Sequence, residues 1–219
     1  MAEPLSEPAS LIEALAAHEI VLPDEVVSAI DAYRQLLWEW NEKINLTRHT
    51  TFDKFVSRDV IDTLQLAEHL EPRQRVLDVG SGGGVPGLLL AILRPDLQVA
   101  MSESVAKKAR VLEEMVVRLS LPVKVFPVRV QEVLELSTWD TLTVRAVAPM
   151  RKLLVWLEPY WGSFDRLLMI KGKSWSEERG EARHYGLLRG KELRCLATYT
   201  TRGFGESVVL SVRRVAKDG

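Results

Sequence analysis

Between residues 75 and 172 the apolar positions gather into short runs separated by longer segments of mixed polarity. The runs are RVLDVG (75–80), LQVAMSES (97–104), VKVFPVR (123–129), TLTVRAV (141–147) and DRLLMIKG (165–172). Each is of strand length and has little polar alternation, which is how a strand buried on both faces reads. Between them, VAKKARVLEEMVVRLS (105–120) and PMRKLLVWLEPYW (149–161) carry apolar residues at helical spacing. Strand and helix in alternation predict a doubly wound α/β sheet, which binds its ligands beyond the carboxyl ends of the strands.

The two ends of the chain have a different texture. Residues 10–19 and 24–44 read as helices broken near Pro23, and in the second Val27, Ile30, Leu37, Trp40 and Ile44 form one apolar stripe. With DVIDTLQLAEHL (59–70) they predict a small helical cap over residues 1–72, ending at Glu71-Pro72, ahead of a ligand-binding domain over 73–219. At the other end, RCLATYTT (194–201) and ESVVLSVRRV (206–215) flank Arg202-Gly203-Phe204-Gly205 and predict an antiparallel hairpin that closes the sheet.

Composition narrows the class. The chain has 219 residues, 47% hydrophobic and 27% charged, enough for one sizeable core. Apolar runs such as GLLLAIL (87–93) fall far short of the ~18–20 residues of a membrane span, so no membrane partner is expected. The acidic start MAEPLSEPAS lacks the features of a secretory signal, which makes the cytoplasm the expected compartment. A lone Cys195 and four scattered histidines predict neither a disulfide nor a metal site. Cys195 is expected in the core of its strand, and Trp40 and Trp156 as packing residues. The net charge is −1, but residues 1–40 hold eight acids against one arginine, −7, which leaves +6 on the rest. That balance admits a nucleic-acid partner without requiring one.

Candidate chemistry centres on DVGSGGGVPG (78–87). Gly82, Gly84 and Gly87 satisfy the dinucleotide spacing G-x-G-x-x-G. However, Asp78 stands where a carboxylate would repel a pyrophosphate, and no Lys-Ser/Thr pair follows to make a P-loop. S-adenosylmethionine carries a cationic sulfonium and an amino group and no phosphate, so an acid at the strand end suits it. The cofactor set read from this pattern is Asp78, Gly80, Ser81, Gly82, Gly84 and Val85, with Pro86 in the first turn of the next helix. Glu103, 23 residues beyond Gly80, is placed to accept from ribose hydroxyls, or else is a solvated strand end. Val130 and Gln131 follow the third strand and are candidates for the adenine edge; alternatively they open an exposed helix. Arg145 emerges from an apolar strand and must meet a carboxylate of the cofactor or the protein, or a substrate phosphate. No acid/base pair or nucleophile stands out, so no catalytic residue is named. The acceptor is left open among RNA, a small molecule and a protein, as is a non-catalytic, cofactor-bound interaction protein.

From Trp40 onward the chain resembles the bacterial small-subunit ribosomal RNA guanine-N7 methyltransferases, the RsmG/GidB family. The likeness is carried by WNEKINLT (40–47), RDVIDTL (58–64), VLDVGSGGGVPG (76–87), ESVAKK (103–108), RVQE (129–132), RAVA (145–148) and Lys171-Gly172. The resemblance implies a class I S-adenosylmethionine-dependent, Rossmann-like methyltransferase fold. It implies methylation at N7 of a guanosine in the decoding-region loop of 16S ribosomal RNA. The partner is then 16S ribosomal RNA or the small ribosomal subunit, and the chain is expected to act as a monomer. Asn45, Arg58, Lys107, Lys171 and Lys173 are the candidate RNA contacts, although Asn45 could simply end a helix, Arg58 could pair with Asp62, and Lys171 and Lys173 could be merely solvated. Asp59 departs from the histidine usual in this family, Thr63 from its serine, and Val85 from an aromatic or leucine. An acid at 59 is expected to repel RNA phosphate.

Overall fold

The computed structural model describes residues 7–201, 203 and 205–215. Its core is a seven-stranded sheet in the order β3-β2-β1-β4-β5-β7-β6. The strands are β1 (Arg75–Val79), β2 (Gln98–Ser102), β3 (Lys124–Phe126), β4 (Trp139–Arg145), β5 (Phe164–Gly172), β6 (Lys191–Thr201) and β7 (Gly205–Arg214). The first five are parallel, and β7 runs antiparallel to both β5 and β6. The mixed sheet and the terminal hairpin agree with the sequence; of the hairpin's connection, Arg202 and Phe204 lie outside the described residues. The chain reverses direction across the sheet between β1 and β4, so their carboxyl ends diverge and open a crevice.

Before β1 come α1 (Leu11–Ala17), α2 (Asp24–Asn41) and a long helix in three parts: α3 (Phe52–Phe55), a π turn (Val56–Val60) and α4 (Ile61–Ala67). Ser10 caps α1 by accepting the Glu13 N–H, and Thr51 caps α3 by accepting that of Lys54. The third helix starts seven residues before the predicted Asp59, because the Thr51 cap is a stronger start signal than the apolar spacing that follows it. Helix α2 stops at Asn41 rather than 44. The Asn41 side chain accepts the N–H groups of Leu46 and Thr47 at 2.8 and 2.9 Å, which bends the chain out of the helix. These helices share one hydrophobic cluster with the sheet: Ile30, Tyr33, Leu37, Phe55 and Leu66 pack with Val76, Val99 and Leu88.

The remaining helices are α5 (Gly87–Leu93), α6 (Ala106–Arg118), α7 (Val130–Leu136), α8 (Met150–Leu157) and α9 (Trp175–His184), with a 3₁₀ turn at Glu158–Tyr160. Two packing expectations fail. Cys195 is exposed, because β6 is an outer strand with a register irregularity between Cys195 and Ala197. Trp156 is 40% exposed, since α8 buries Met150, Leu153, Leu154 and Leu157 and turns Trp156 off that stripe. No helix among the described residues is long and apolar enough to cross a membrane.

Candidate functional site: a glycine-lined crevice

The loop after β1 is held tightly by its own backbone. The N–H groups of Gly80 and Ser81 donate to the Ser102 carbonyl at the end of β2, and that of Gly84 donates to the Ser81 carbonyl. The glycines serve different ends. A Cβ on Gly80 would lie 2.8 Å from Val147, one on Gly83 2.9 Å from Leu37, and one on Gly84 2.6 Å from Leu88, so these three allow neighbouring elements to close in. Gly82, at φ +57°, has only the Gly80 carbonyl within reach, at 3.9 Å. Its missing side chain leaves open space, a cradle that any Cβ would begin to fill.

That space belongs to a cavity of about 220 Å³ lined by the loop itself and by Glu103, Lys108, Arg145 and Ala146, under a roof of Leu37, Leu46 and Thr47. Two contacts explain why the roof is α2 and the loop after it. Tyr33 donates its hydroxyl to the Gly83 carbonyl at 2.9 Å, and Asn41 holds Leu46 and Thr47 in place. The N-terminal helices therefore complete the site as well as the core.

Asp78 is not in the crevice. It is buried beneath the loop, where it accepts the Gly87 N–H at 3.1 Å and the Thr143 hydroxyl at 3.2 Å. Burial pushes its carboxyl up to about 6, against the opposing effect of the surrounding hydrogen bonds. The sequence analysis expects Asp78 to present its charge to a bound cation; here its side chain fastens β1, β4 and the start of α5 to one another. Pro86 precedes α5 as its N-cap instead of lying in its first turn.

Glu103 takes the role of the acid at the crevice. Its Oε2 accepts the Gly82 N–H at 2.9 Å and its Oε1 that of Val105 at 2.8 Å, so the carboxylate is held rigid at the rim of the cavity. Each ionised oxygen has a second lone pair for a ligand hydroxyl. Ser81 and Val85 line the same wall. Val130 and Gln131 open α7 at the carboxyl end of β3, outside the lining of this cavity, and Val130 is buried.

Arg145 meets carboxylates of the protein. Its Nη2 lies 2.7 Å from Asp59 and its Nη1 3.4 Å from Asp62, and Nη1 donates to the Arg58 carbonyl at 2.6 Å. Burial works against this guanidinium, yet the two acids raise its pKa above the usual arginine value; for Asp62 burial prevails and its carboxyl is pushed up. Asp59 therefore does not face RNA as an exposed charge. It is fully buried, bound to Arg145 and within 2.9 Å of His49 Nδ1, so the expected repulsion of phosphate does not arise. The π turn places Arg58 and Asp59 at this junction. Asp62 also accepts the Tyr199 hydroxyl at 2.8 Å, which ties in β6.

The five candidate RNA residues scatter. Asn45 and Lys107 line one groove of about 350 Å³ with Lys43 and Lys108, and this groove shares Lys108 with the crevice. Arg58 lies 3.9 Å from Asp62 and donates to Ser207. Lys171 is engaged by Glu178 at 2.9 Å and the Ala148 carbonyl at 2.7 Å, neither solvated nor presented to a phosphate. Lys173 is exposed at the end of β5. Lys108, Thr47, His49 and Ala146 were missed from the sequence; for Thr47 the signal was present, since Asn41 six residues earlier is a ready acceptor for its N–H.

The strand order, the glycine crevice and the rim carboxylate define a class I S-adenosylmethionine-dependent methyltransferase. In fold the chain is similar to an O-methyltransferase from Bacillus cereus solved with S-adenosylhomocysteine, with a TM-score of 0.60 at 14% identity over 92% of this chain and 96% of that one. It is likewise similar to TrmK of M. capricolum, solved with the same product, with a TM-score of 0.56 over 69% and 67% of the two chains. Sequence narrows the class further. The family model "GidB: rRNA small subunit methyltransferase G" matches residues 27–201. The ribosomal RNA small subunit methyltransferase G of Rhodopirellula baltica is 52% identical over 186 residues, 85% of this chain and 80% of that protein. The enzyme of that name from Mycolicibacterium smegmatis is 33% identical over 210 residues, 93% and 88% of the two chains. The chain belongs to this family of ribosomal RNA methyltransferases.

Proposed function

We propose that the chain transfers the methyl group of S-adenosylmethionine to N7 of a guanosine in the decoding-region loop of 16S ribosomal RNA, in the cytoplasm. The observation that carries the choice of atom is that the described residues lining the crevice include no imidazole and a single carboxylate, Glu103. The ionisable residues lining it are Glu103, Lys108 and Arg145. Glu103 spends both oxygens on backbone N–H groups, and Arg145 is locked into ion pairs with Asp59 and Asp62. Guanine N7 has an in-plane lone pair and no proton to lose, so attack there needs no base.

When bound, S-adenosylmethionine supplies a methyl group already activated by positive sulfur. What remains for this chain is alignment and the exclusion of water. Glu103 orients a ribose through its free lone pairs, and the bare backbone at Gly82 lets the donor approach closely. Leu37 and Leu46 supply an apolar roof. Lys107 and Lys108, with Asn45, hold phosphates beside the opening, where backbone contacts set the register of the base. Arg145 acts inward: it clamps the π turn and α4 to the end of β4.

The test is methylation of 16S ribosomal RNA by the purified chain with labelled donor, the product being mapped by mass analysis. We expect 7-methylguanosine at one loop position, with a single-turnover rate flat between pH 7 and 9. Label on an exocyclic oxygen or nitrogen, or a rate rising tenfold per pH unit, would place the chemistry elsewhere.

A further inference from the structure

A cavity of about 600 Å³ lies apart from the crevice. It lies between the end of α9 and the start of β6 and is lined by Arg183, His184, Tyr185, Gly186, Leu188, Arg189, Lys191 and Leu193. Three of these are permanent cations and none is an acid. Of the nearby carboxylates, Glu178 pairs with Lys171 and Glu181 with Arg151, while Glu158 pairs with the cleft's own Lys191, which leaves Arg183 and Arg189 as its uncompensated cations. Among the described residues no carboxylate lies within ion-pair distance of Arg183 or Arg189, and both are exposed. Arginines without acids are ordinary on a surface; arginines that line a cleft beside an open aromatic ring are less so. Tyr185 is 60% exposed, with the Arg151 guanidinium 5.2 Å from its ring centroid. The connection is held in shape by hydrogen bonds from the Gly186 and Leu187 N–H groups to the carbonyls of Arg183 and Ala182.

We propose that this cleft is a second RNA-binding surface, which takes the phosphate backbone of the substrate RNA on Arg183 and Arg189 and stacks an unpaired base on Tyr185. The chemistry required is that of single-stranded RNA, a run of anions with flat faces between them. Position gives the surface its use. Lys191 pairs in register with Arg214, and Arg213 lies opposite Arg166 near the amino end of β5, so the cleft sits at the opposite end of the parallel strands from the glycine loop, beside the outer strand β6. The register sets the cleft about five to six residues back along the strands from the level of the crevice and four strands to the side, which separates the two by roughly 25 Å. An RNA bound at both places must be much longer than the target loop. The surface thus selects a large folded substrate over a fragment carrying the same guanosine.

The inference rests on the substrate being RNA, and the experiment separates the two claims. The variant R183Q/R189Q, and separately Y185A with Y185F as its control, are compared with the parent chain in binding and methylation. The RNAs are full-length 16S transcript and a hairpin trimmed to the target loop. For R183Q/R189Q we expect full-length affinity to fall by at least about tenfold, and the slope of log K against log salt to shrink by about 1.5 to 2. KM for the full-length RNA rises with kcat unchanged, while hairpin methylation, donor affinity and the unfolding midpoint stay as in the parent chain. Y185A weakens full-length binding and Y185F restores it. An unaltered salt slope overturns the proposal, as does an equal loss on both RNAs. So does a cleft that takes inorganic phosphate or an acidic peptide while RNA binding is untouched. If the parent chain methylates neither RNA, the catalytic reading falls, and the binding comparison still decides the surface.

Discussion

Replacing Arg145 by leucine tests whether the junction under the crevice is held by charge. The guanidinium sits 2.7 Å from one buried carboxylate and 3.4 Å from another. At an effective dielectric of about 20 these separations correspond to gross attractions of about 6 and 5 kcal/mol. The desolvation cost of the cation offsets much of that. Removing the cation leaves both acids behind, Asp59 with His49, and Asp62 with Tyr199 and the more distant Arg58. The net loss expected for a stripped buried pair is about 3–5 kcal/mol. For a domain whose total stability is about 5–15 kcal/mol this is a large fraction, visible as a shift of the urea midpoint at constant slope. The dependence on pH identifies the cause. Burial already pushes the Asp62 carboxyl up, and without Arg145, which opposes that push, it titrates higher still in the folded chain than in the unfolded one, where aspartate ionises near 3.9. The folded state then binds more protons in the window between, so the deficit is full at pH 8 and shrinks as the pH falls toward about 4. Adding D59N to the variant recovers part of the loss at pH 8. An R145L chain within about 1 kcal/mol of the parent, or a deficit that grows on acidification, would refute the account, since neither follows from an orphaned buried anion.

Other expectations follow from the same geometry. Gly82→Val should abolish donor binding by calorimetry with a loss of about 1–2 kcal/mol of stability from its left-handed backbone, whereas Gly84→Val, driven into Leu88, should lower the unfolding midpoint much further. Comparable midpoints for the two would mean that the glycine positions are not distinct. Glu103→Ala should weaken donor affinity by about 1–3 kcal/mol, and Glu103→Gln by less, because it keeps one acceptor oxygen for the backbone; equal dissociation constants for all three chains would remove Glu103 from the ribose. Asp78 titrates near 6 in the fold against 3.8 as its ordinary value, so its protonated form favours folding. That contribution, on the order of 3 kcal/mol, is complete below about pH 4 and is lost as the pH rises through 6. In Asp78→Asn the stability curve should be flatter over that window, and an identical slope would show that the carboxyl is not desolvated.

The parts of this protein visible in its sequence are those governed by neighbours along the chain. Apolar runs of strand length, helical spacing and the punctuation of Gly80, Gly82 and Gly84 are local, and they led to the alternating sheet, the hairpin and the cofactor loop. Glu103 reaches the rim of the crevice because the distance from the loop to the second strand end is set by one helix and its two connections. The misread charges are those whose partners are brought together by the fold. The charge of Asp78 could be counted, but its direction could not: whether it faced a ligand or the underside of its own loop depended on Thr143, 65 residues away. Asp59 looked like an exposed departure until Arg145 and His49 closed around it, 86 and 10 residues off. Lys171 seemed free because Glu178 lies on a helix that folds back beside β5, and Cys195 seemed buried because nothing in the chain says which strand will be outermost. Local sequence thus determined the elements and the chemistry on offer, since propensity and period act over a few residues. Which charges were spent inside the fold and which were left for a substrate was decided by the tertiary structure alone, because ion pairing and burial act through space.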